Sequence, residues 1–320
     1  MEQAQTQGHG QRAATRQPIL LQKKPEWFKV RRREGENYLE LKQIMREGAL
    51  HTVCEEAHCP NIYECWEQRT ATFMILGDTC TRACRFCSVK WGRPSHVDRL
   101  EPRRVAAAVA AMDLKFAVVT SVNRDDLHDG GAGIFADTIC AIRAQVPDCG
   151  VEVLIPDFQG NWEALALVVD ARPEILNHNV ETVPRLFRRI QPWDSYETSL
   201  ELFRQVRARD PRMIIKTGVM VGLGETREEL IGVMRDLRAC DVDVLTIGQY
   251  LPPSHRHFPL QRYYTLEEFE DLRRAGLELG FGHVESGPLV RSSYHARDQA
   301  EALTLRRLQA QKQASAPAVD

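Results

Sequence analysis

The chain carries nine cysteines, and six of them fall into two triples. Cys54, Cys59 and Cys65 are spaced C-x4-C-x5-C in CEEAHCPNIYEC; Cys80, Cys84 and Cys87 are spaced C-x3-C-x2-C in CTRACRFC. Clustered soft thiolates suit iron–sulfur clusters or zinc. A structural zinc closes with four ligands, so each triple is one donor short. The second triple sits in one tight loop that offers no further ligand. A cubane cluster on three cysteines would leave one iron open to a small chelating molecule. Arg82 and Arg85 make that loop cationic, which favours thiolates. For the first triple a zinc clip completed by His51 or His58 is chemically acceptable and stands beside an iron–sulfur reading. Cys140, Cys149 and Cys240 are isolated from one another in or near helical patterns and are expected to be small buried residues.

Elements able to position these residues begin at residue 72. Short β-like runs at 72–77, 116–121, 151–156, 174–179, 214–222 and 244–250 alternate with amphipathic helical patterns near 102–112, 132–145, 160–170, 182–190, 196–209, 226–239 and 266–279. Such alternation predicts right-handed βαβ units on a parallel sheet. Six units are fewer than the eight of a closed barrel. The expected fold class is therefore α/β, a partial (β/α)6 TIM-like barrel with N-terminal and C-terminal extensions.

Active residues of such folds gather at the C-terminal ends of the strands. Ser121, Asn123, Asp157, Asn177, His178, Asn179, Glu181, Gln249 and Tyr250 all sit at those ends or just beyond them, and the second cysteine triple follows the first strand. His178 reads equally well as a satisfied core histidine. The GLGET stretch (222–226) has too few glycines in register for a dinucleotide fingerprint and reads as a tight strand-to-helix turn.

The boundaries expected are a disordered tail at 1–24, a cysteine-bearing N-terminal extension at 25–71, the barrel at 72–285, a C-terminal extension at 286–307 and a second disordered tail at 308–320. A helix is expected near 36–48. With 42 basic against 44 acidic residues, net charge gives no argument for nucleic acid or a membrane surface. No apolar run reaches the ~18 residues of a spanning helix, and the polar N-terminus lacks an h-region. A cytoplasmic, reducing setting is expected, where clustered cysteines signal metal or catalysis more often than disulfides.

CTRACRFC, placed after the first strand, resembles the motif of the radical S-adenosylmethionine superfamily. CEEAHCPNIYECW resembles the N-terminal signature of the lipoyl synthase family within it. TFMILGDTCTRACRFCSV (72–89), TSVNRDDLHDGGA (120–132), NHNVETVPRL (177–186), KTGVMVGLGET (216–226), LTIGQYLPPS (245–254) and GPLVRSSYHA (287–296) agree with that family. The resemblance runs from about Pro25 to Ala296.

The resemblance implies a sulfurtransferase that inserts two sulfur atoms at C6 and C8 of a protein-bound octanoyl-lysine. Two [4Fe-4S] clusters are implied. One, on Cys80, Cys84 and Cys87, would cleave S-adenosylmethionine to methionine and a 5′-deoxyadenosyl radical. The other, an auxiliary cluster on Cys54, Cys59 and Cys65, would take Ser293 of the RSSY motif as fourth ligand and be consumed as sulfur donor. Without the resemblance Ser292-Ser293 would read as a polar turn or cap. A serine oxygen is a harder, weaker partner for iron than a thiolate.

By the same resemblance, Ser121, Asn123, Asn177, Asn179, Glu181 and Lys216 are candidates for contacting S-adenosylmethionine, with Arg124 as a second cation for its carboxylate. Asn123 stands where Asp would be expected in many members. The implied partners are octanoylated lipoyl carrier domains (2-oxoacid dehydrogenase E2 subunits, glycine cleavage H protein), a flavodoxin- or ferredoxin-type electron donor and an iron–sulfur repair protein. The basic stretches at Lys29 with Arg31–Arg33 and at Arg185–Arg189 are candidate docking surfaces for an acidic carrier. Two alternatives remain: a biotin synthase-like or methylthiotransferase enzyme, and a non-catalytic iron–sulfur or zinc protein. The RSSY motif and the first triple argue against the former. Convergent polar residues at the strand ends argue against the latter.

Overall fold

The computed structural model describes residues 25–28, 34–56, 59–293, and Ala296, Gln299 and Leu303. Among the described residues ten strands form: β1 (His51–Thr52), β2 (Thr72–Ile75), β3 (Thr79–Cys80), β4 (Lys90–Trp91), β5 (Phe116–Ser121), β6 (Gly150–Leu154), β7 (Ile175–Asn177), β8 (Ile214–Val221), β9 (Val244–Gln249) and β10 (His283–Gly287). The helices are α1 (Glu36–Glu47), α2 (Val53–Glu56), α3 (Ile62–Glu67), α4 (Glu101–Ala111), α5 (Ala132–Gln145), α6 (Trp162–Asp170), α7 (Pro184–Ile190), α8 (Tyr196–Arg209), α9 (Arg227–Ala239) and α10 (Leu266–Glu278).

The main sheet runs β1-β2-β5-β6-β7-β8-β9-β10 and leaves β1 and β10 as edges, so the barrel is open. All neighbours from β2 to β10 pair in parallel, and β1 alone runs antiparallel to β2. β10 adds a parallel strand beyond the six read from the sequence. Its sequence, HVESG, is short and polar and shows neither the alternation nor the apolar run that marks a strand. It also straddles the expected boundary at 285/286.

Side chains alternate between two cores with the period of two that a strand imposes. Ala117 and Val119 of β5, Leu176 of β7, Ile215 of β8 and Leu245 of β9 pack into the large cluster shared with the helices. Phe116, Val118, Ile175, Ile214 and Val244 face the other way and form a second, inner cluster with Ala296 and Leu303. Being buried on both faces explains why these strands read as nearly continuous apolar runs.

Local signals set the turns. α9 and α10 each begin at a reciprocal capping box, Thr226 with Glu229 and Thr265 with Glu268. Between β8 and α9, Gly222 takes φ 99°, and a Cβ there would lie 2.6 Å from the Arg262 carbonyl. The Glu225 carboxylate accepts from the Gly222 and Leu223 amides at 2.7 and 2.8 Å, which fixes the GLGET turn.

The N-terminal extension packs as α1 to α3 with β1. Tyr38, Leu41 and Met45 of α1 and Trp66 of α3 are buried, and Tyr38 meets Trp66 with centroids 5.2 Å apart. The expected tails, most of the expected C-terminal extension beyond Ser293, His58, Lys29 and Arg31–Arg33 lie outside the described residues. Cys149 and Cys240 are buried as expected; Cys140 is exposed, because its position on α5 turns away from the sheet.

Candidate active site

The second triple follows β2, with Cys80 ending β3. Its loop is held from three directions. The Arg82 and Asn123 amides donate to the Cys80 sulfur at 3.4 and 3.3 Å. The Arg85 amide donates to the Ile190 carbonyl, and the Phe258 amide donates to the Arg85 carbonyl, each at 2.8 Å. His257 Nε2 lies 3.0 Å from the Cys87 carbonyl, and its Nδ1 lies 2.9 Å from Ser254 Oγ.

Arg82 is the main staple. Its side chain is 1% exposed and makes ion pairs with Asp125 and Asp157 at 2.7 Å each, and with Asp194. Its charge is engaged by three carboxylates, and it also acts on the Cys80 thiol, lowering it against the rise from burial. Burial outweighs the attraction of Arg82 and raises the Asp194 carboxyl to about 6. Burial likewise raises the thiols of Cys80 and Cys84, and takes Cys87 to about 11. Cys84 feels the charge of Cys87 and Cys80, and Cys87 that of Cys80, so the three thiols share one locality.

The first triple lies on α2, the turn after it and α3. Burial pushes the Cys54 thiol up to about 11, and Cys59 adds to the rise. Burial raises Cys65 as well, helped by Cys54 and Cys59, so these three thiols also share one locality. Buried thiols resist ionisation until a metal supplies positive charge. Trp66 Nε1 is buried beside the Cys54 sulfur, where its N–H favours the thiolate. Among the described residues no three His, Cys, Asp or Glu side chains close on a point as a single-ion site would. His51 sits 3.4 Å from Glu56, and that contact occupies its Nδ1.

The two triples adjoin. Ser88 Oγ, one residue after Cys87, donates to the Glu56 carbonyl at 2.6 Å. The segment leading to Ser293 reaches the same place. Asn61 Nδ2 donates to the Leu289 carbonyl at 2.7 Å, and Arg291 lies close enough to Cys59 to lower that thiol against the rise from burial.

At the strand ends, three candidate ligand residues carry buried polar atoms without partners: Ser121 Oγ, Asn177 Oδ1 and Asn179 Oδ1. Gly218 keeps Asn179 in place, since a Cβ there would come within 2.8 Å of its Oδ1. Asn179 Nδ2 donates to Glu181, whose carboxyl is raised by burial to about 7 and whose charge reaches Cys84 and Cys87. Asn123 contributes its backbone: its carbonyl accepts from the Thr81 amide and hydroxyl, both at 3.0 Å.

Lys216 is a correction. It is fully buried and donates to Glu152 at 3.1 Å, both side chains being 0% exposed, while Asn177 Nδ2 donates to the same carboxylate at 2.9 Å. Its inward place on β8 pairs it with β6 rather than leaving it free at the mouth. Arg124 is likewise occupied, by Asp126 and by the Leu76 and Ser95 carbonyls. His178 is a satisfied core histidine, held by the Ile155 carbonyl at 3.0 Å and Ser199 Oγ at 2.9 Å. Gln249 bridges the Val221 and Arg262 carbonyls and accepts from the Tyr264 amide, and Tyr250 donates to the Phe258 carbonyl, so both are structural.

A radical SAM superfamily model matches residues 74–237. A model of the N-terminal domain of lipoyl synthase matches residues 2–59. A lipoyl synthase from Roseiflexus sp. is 61% identical over 274 residues, 86% of this chain and 91% of that protein. The chain belongs to the lipoyl synthase family. A lipoyl synthase from Geobacillus kaustophilus is 55% identical over 290 residues, 90% of this chain and 97% of its own. Among solved structures, the FeFe-hydrogenase maturase HydG from Carboxydothermus hydrogenoformans aligns with a TM-score of 0.54 at 15% identity, covering 84% of this chain and 69% of that one. That likeness supports the open-barrel fold alone. Lipoyl synthases are radical enzymes that use an iron–sulfur cluster and S-adenosylmethionine, and this chain is a sulfurtransferase of that kind. The residues fit such groups: two local sets of three free thiols, and unpartnered acceptors at Ser121 and Asn179.

Proposed function

We propose that the chain holds two [4Fe-4S] clusters, one on Cys80, Cys84 and Cys87 and one on Cys54, Cys59, Cys65 and Ser293. With them it would insert two sulfur atoms into an octanoyl-lysine carried by a lipoyl domain. The observation that carries this reading is the junction of the triples, where Ser88 bonds to Glu56 and Asn61 bonds to Leu289. An alkyl C–H ionises to no useful extent, so the carbon must be activated by a radical and trapped by sulfur within reach. Adjacent cluster sites would supply both within a short distance.

When bound, the two groups supply the electron that splits S-adenosylmethionine and the sulfide that traps carbon. This chain's residues do the positioning. Ser121 Oγ and Asn179 Oδ1 are free to meet polar groups of S-adenosylmethionine, and the Glu181 carboxyl, with Asn179 beside it, is a third contact. Arg82 fixes the loop that holds Cys84 against the strand ends, so that ligand geometry does not drift between turnovers.

The substrates are octanoylated carrier proteins, and we assign 2-oxoacid dehydrogenase E2 subunits and the glycine cleavage H protein as carriers. A flavodoxin- or ferredoxin-type protein is the proposed reductant, and a cluster-carrier protein the proposed source of repair. Among the described residues no helix is long and apolar enough to cross a membrane; we place the enzyme in the cytoplasm. Metal and sulfide analysis after anaerobic reconstitution tests the reading. About eight irons and eight sulfides per chain are expected; zinc without sulfide overturns it.

A further inference from the structure

The inner face of the barrel is apolar at the N-terminal ends of the strands. Phe116, Ile175, Ile214 and Val244 are each the first residue of their strand, and together with Val118 they form this floor. Two residues from far along the chain complete it. Ala296 is 1% exposed and Leu303 is 4% exposed, and both belong to this cluster. Ala296, Gln299 and Leu303 are helical and buried. The fit at Leu303 is close: a Cβ added at Gly282 would lie 2.5 Å from Leu303 Cδ2.

The chain is also pinned just before Ser293. The Leu289 carbonyl accepts from Asn61, and the Val290 carbonyl sits over Gly248, where a Cβ would come within 2.2 Å of it. Ser293 therefore lies between two anchors, one at the barrel mouth and one at its floor.

We infer that Leu303 is a positioning residue for Ser293: by filling the barrel floor it holds the C-terminal segment so that the serine oxygen stays at the first triple. This rests on Ser293 being the fourth ligand there. A serine oxygen is a weak ligand for iron, so its occupancy depends on the local concentration that its tethers impose. An unanchored segment would leave that iron open to water and chelators.

The test uses full-length chain reconstituted in two backgrounds. In one, Cys80, Cys84 and Cys87 are replaced by Ala, so that only the first triple is loaded; in the other, Cys54, Cys59 and Cys65 are replaced. Iron release to a chelator is timed for Leu303→Ala, Gly282→Ala, the double variant and Ser293→Ala. Leu303→Ala and Gly282→Ala should each speed release from the first triple roughly tenfold and leave the second within twofold. The double variant should recover part of the loss, because the new Cβ enters the space Leu303 vacates. Wild-type release in Leu303→Ala, with fast release in Ser293→Ala, overturns the anchoring and leaves the ligand assignment standing. Wild-type release in Ser293→Ala overturns the ligand assignment and the anchoring with it. Equal acceleration at both triples marks general unfolding and also overturns the anchoring.

Discussion

Asn61 Nδ2 donates to the Leu289 carbonyl at 2.7 Å across 228 residues of sequence. One hydrogen bond thus joins the loop bearing the first cysteine triple to the segment bearing the RSSY serines. Asn61 is 4% exposed and its bond to Leu289 is partly buried, so deleting its amide removes a hydrogen bond that water replaces incompletely. Asn61→Ala should cost about 1–3 kcal/mol in urea unfolding of the metal-free protein. A change under about 0.3 kcal/mol would show that the junction is held elsewhere.

Arg82 neutralises part of a cluster formed by Asp125, Asp157 and Asp194. Removing one side of a buried ion pair leaves charge without compensation, typically at about 3–5 kcal/mol. Arg82→Met should destabilise the metal-free chain by about that much, and Arg82→Lys by less, since it keeps the charge but loses the fork. Denaturant midpoints with unchanged slopes check both.

Lys216 and Glu152 form a second buried pair at 3.1 Å. Lys216→Met should lower stability by about 3–5 kcal/mol, and Lys216→Met with Glu152→Gln should recover part of it. If Lys216→Met instead leaves stability intact and raises only the KM for S-adenosylmethionine, the lysine contacts that molecule after all.

His178 is buried neutral; desolvation lowers its pKa, opposed by its bond to the Ile155 carbonyl and by the charge of Asp157, and aided by Arg82. The unfolded histidine binds a proton more readily than the folded one. Its contribution to stability is therefore present above the ordinary histidine value of about 6.5 and is lost as pH falls below it toward the folded pKa. Unfolding free energy of the metal-free protein should fall more steeply from pH 7.5 to 5.5 than in His178→Gln. The difference is at most about 1.4 kcal/mol per pH unit. Parallel profiles would contradict the assignment.

Arg188 and Arg189 are exposed on α7, with Arg189 over the Phe258 ring at 5.3 Å, whereas Arg185 is tied to Glu229. Replacing Arg188 and Arg189 by Glu should raise the KM for an acidic carrier several-fold at low salt, with little change in kcat. An unchanged KM under those conditions would remove this face as a docking surface.

Much of this was legible in the chain itself. The two cysteine spacings are local, so the sequence displays them. The βα rhythm announced the parallel sheet, and the glycines with Glu225 announced the turn before α9. What stayed hidden depends on long-range geometry. The carboxylates of Arg82 lie 43, 75 and 112 residues away, and no periodicity connects them. Lys216 read as a candidate contact for S-adenosylmethionine because nothing local in the sequence shows that Glu152, two strands away on β6, faces it. β10 is short and polar and gave no pattern to read, and neither did the burial of Leu303 in the barrel floor.

The central claim is that sulfur leaves the first triple's cluster for the substrate. Enzyme reconstituted with heavy sulfide is incubated anaerobically with S-adenosylmethionine, reductant and an octanoylated carrier peptide, with light sulfide in the medium. Mass spectrometry should show a monothiolated and then a dithiolated peptide carrying heavy sulfur, in no more than about one product per chain, and none from Cys59→Ala. Product bearing light sulfur, or normal product from Cys59→Ala, would contradict the account.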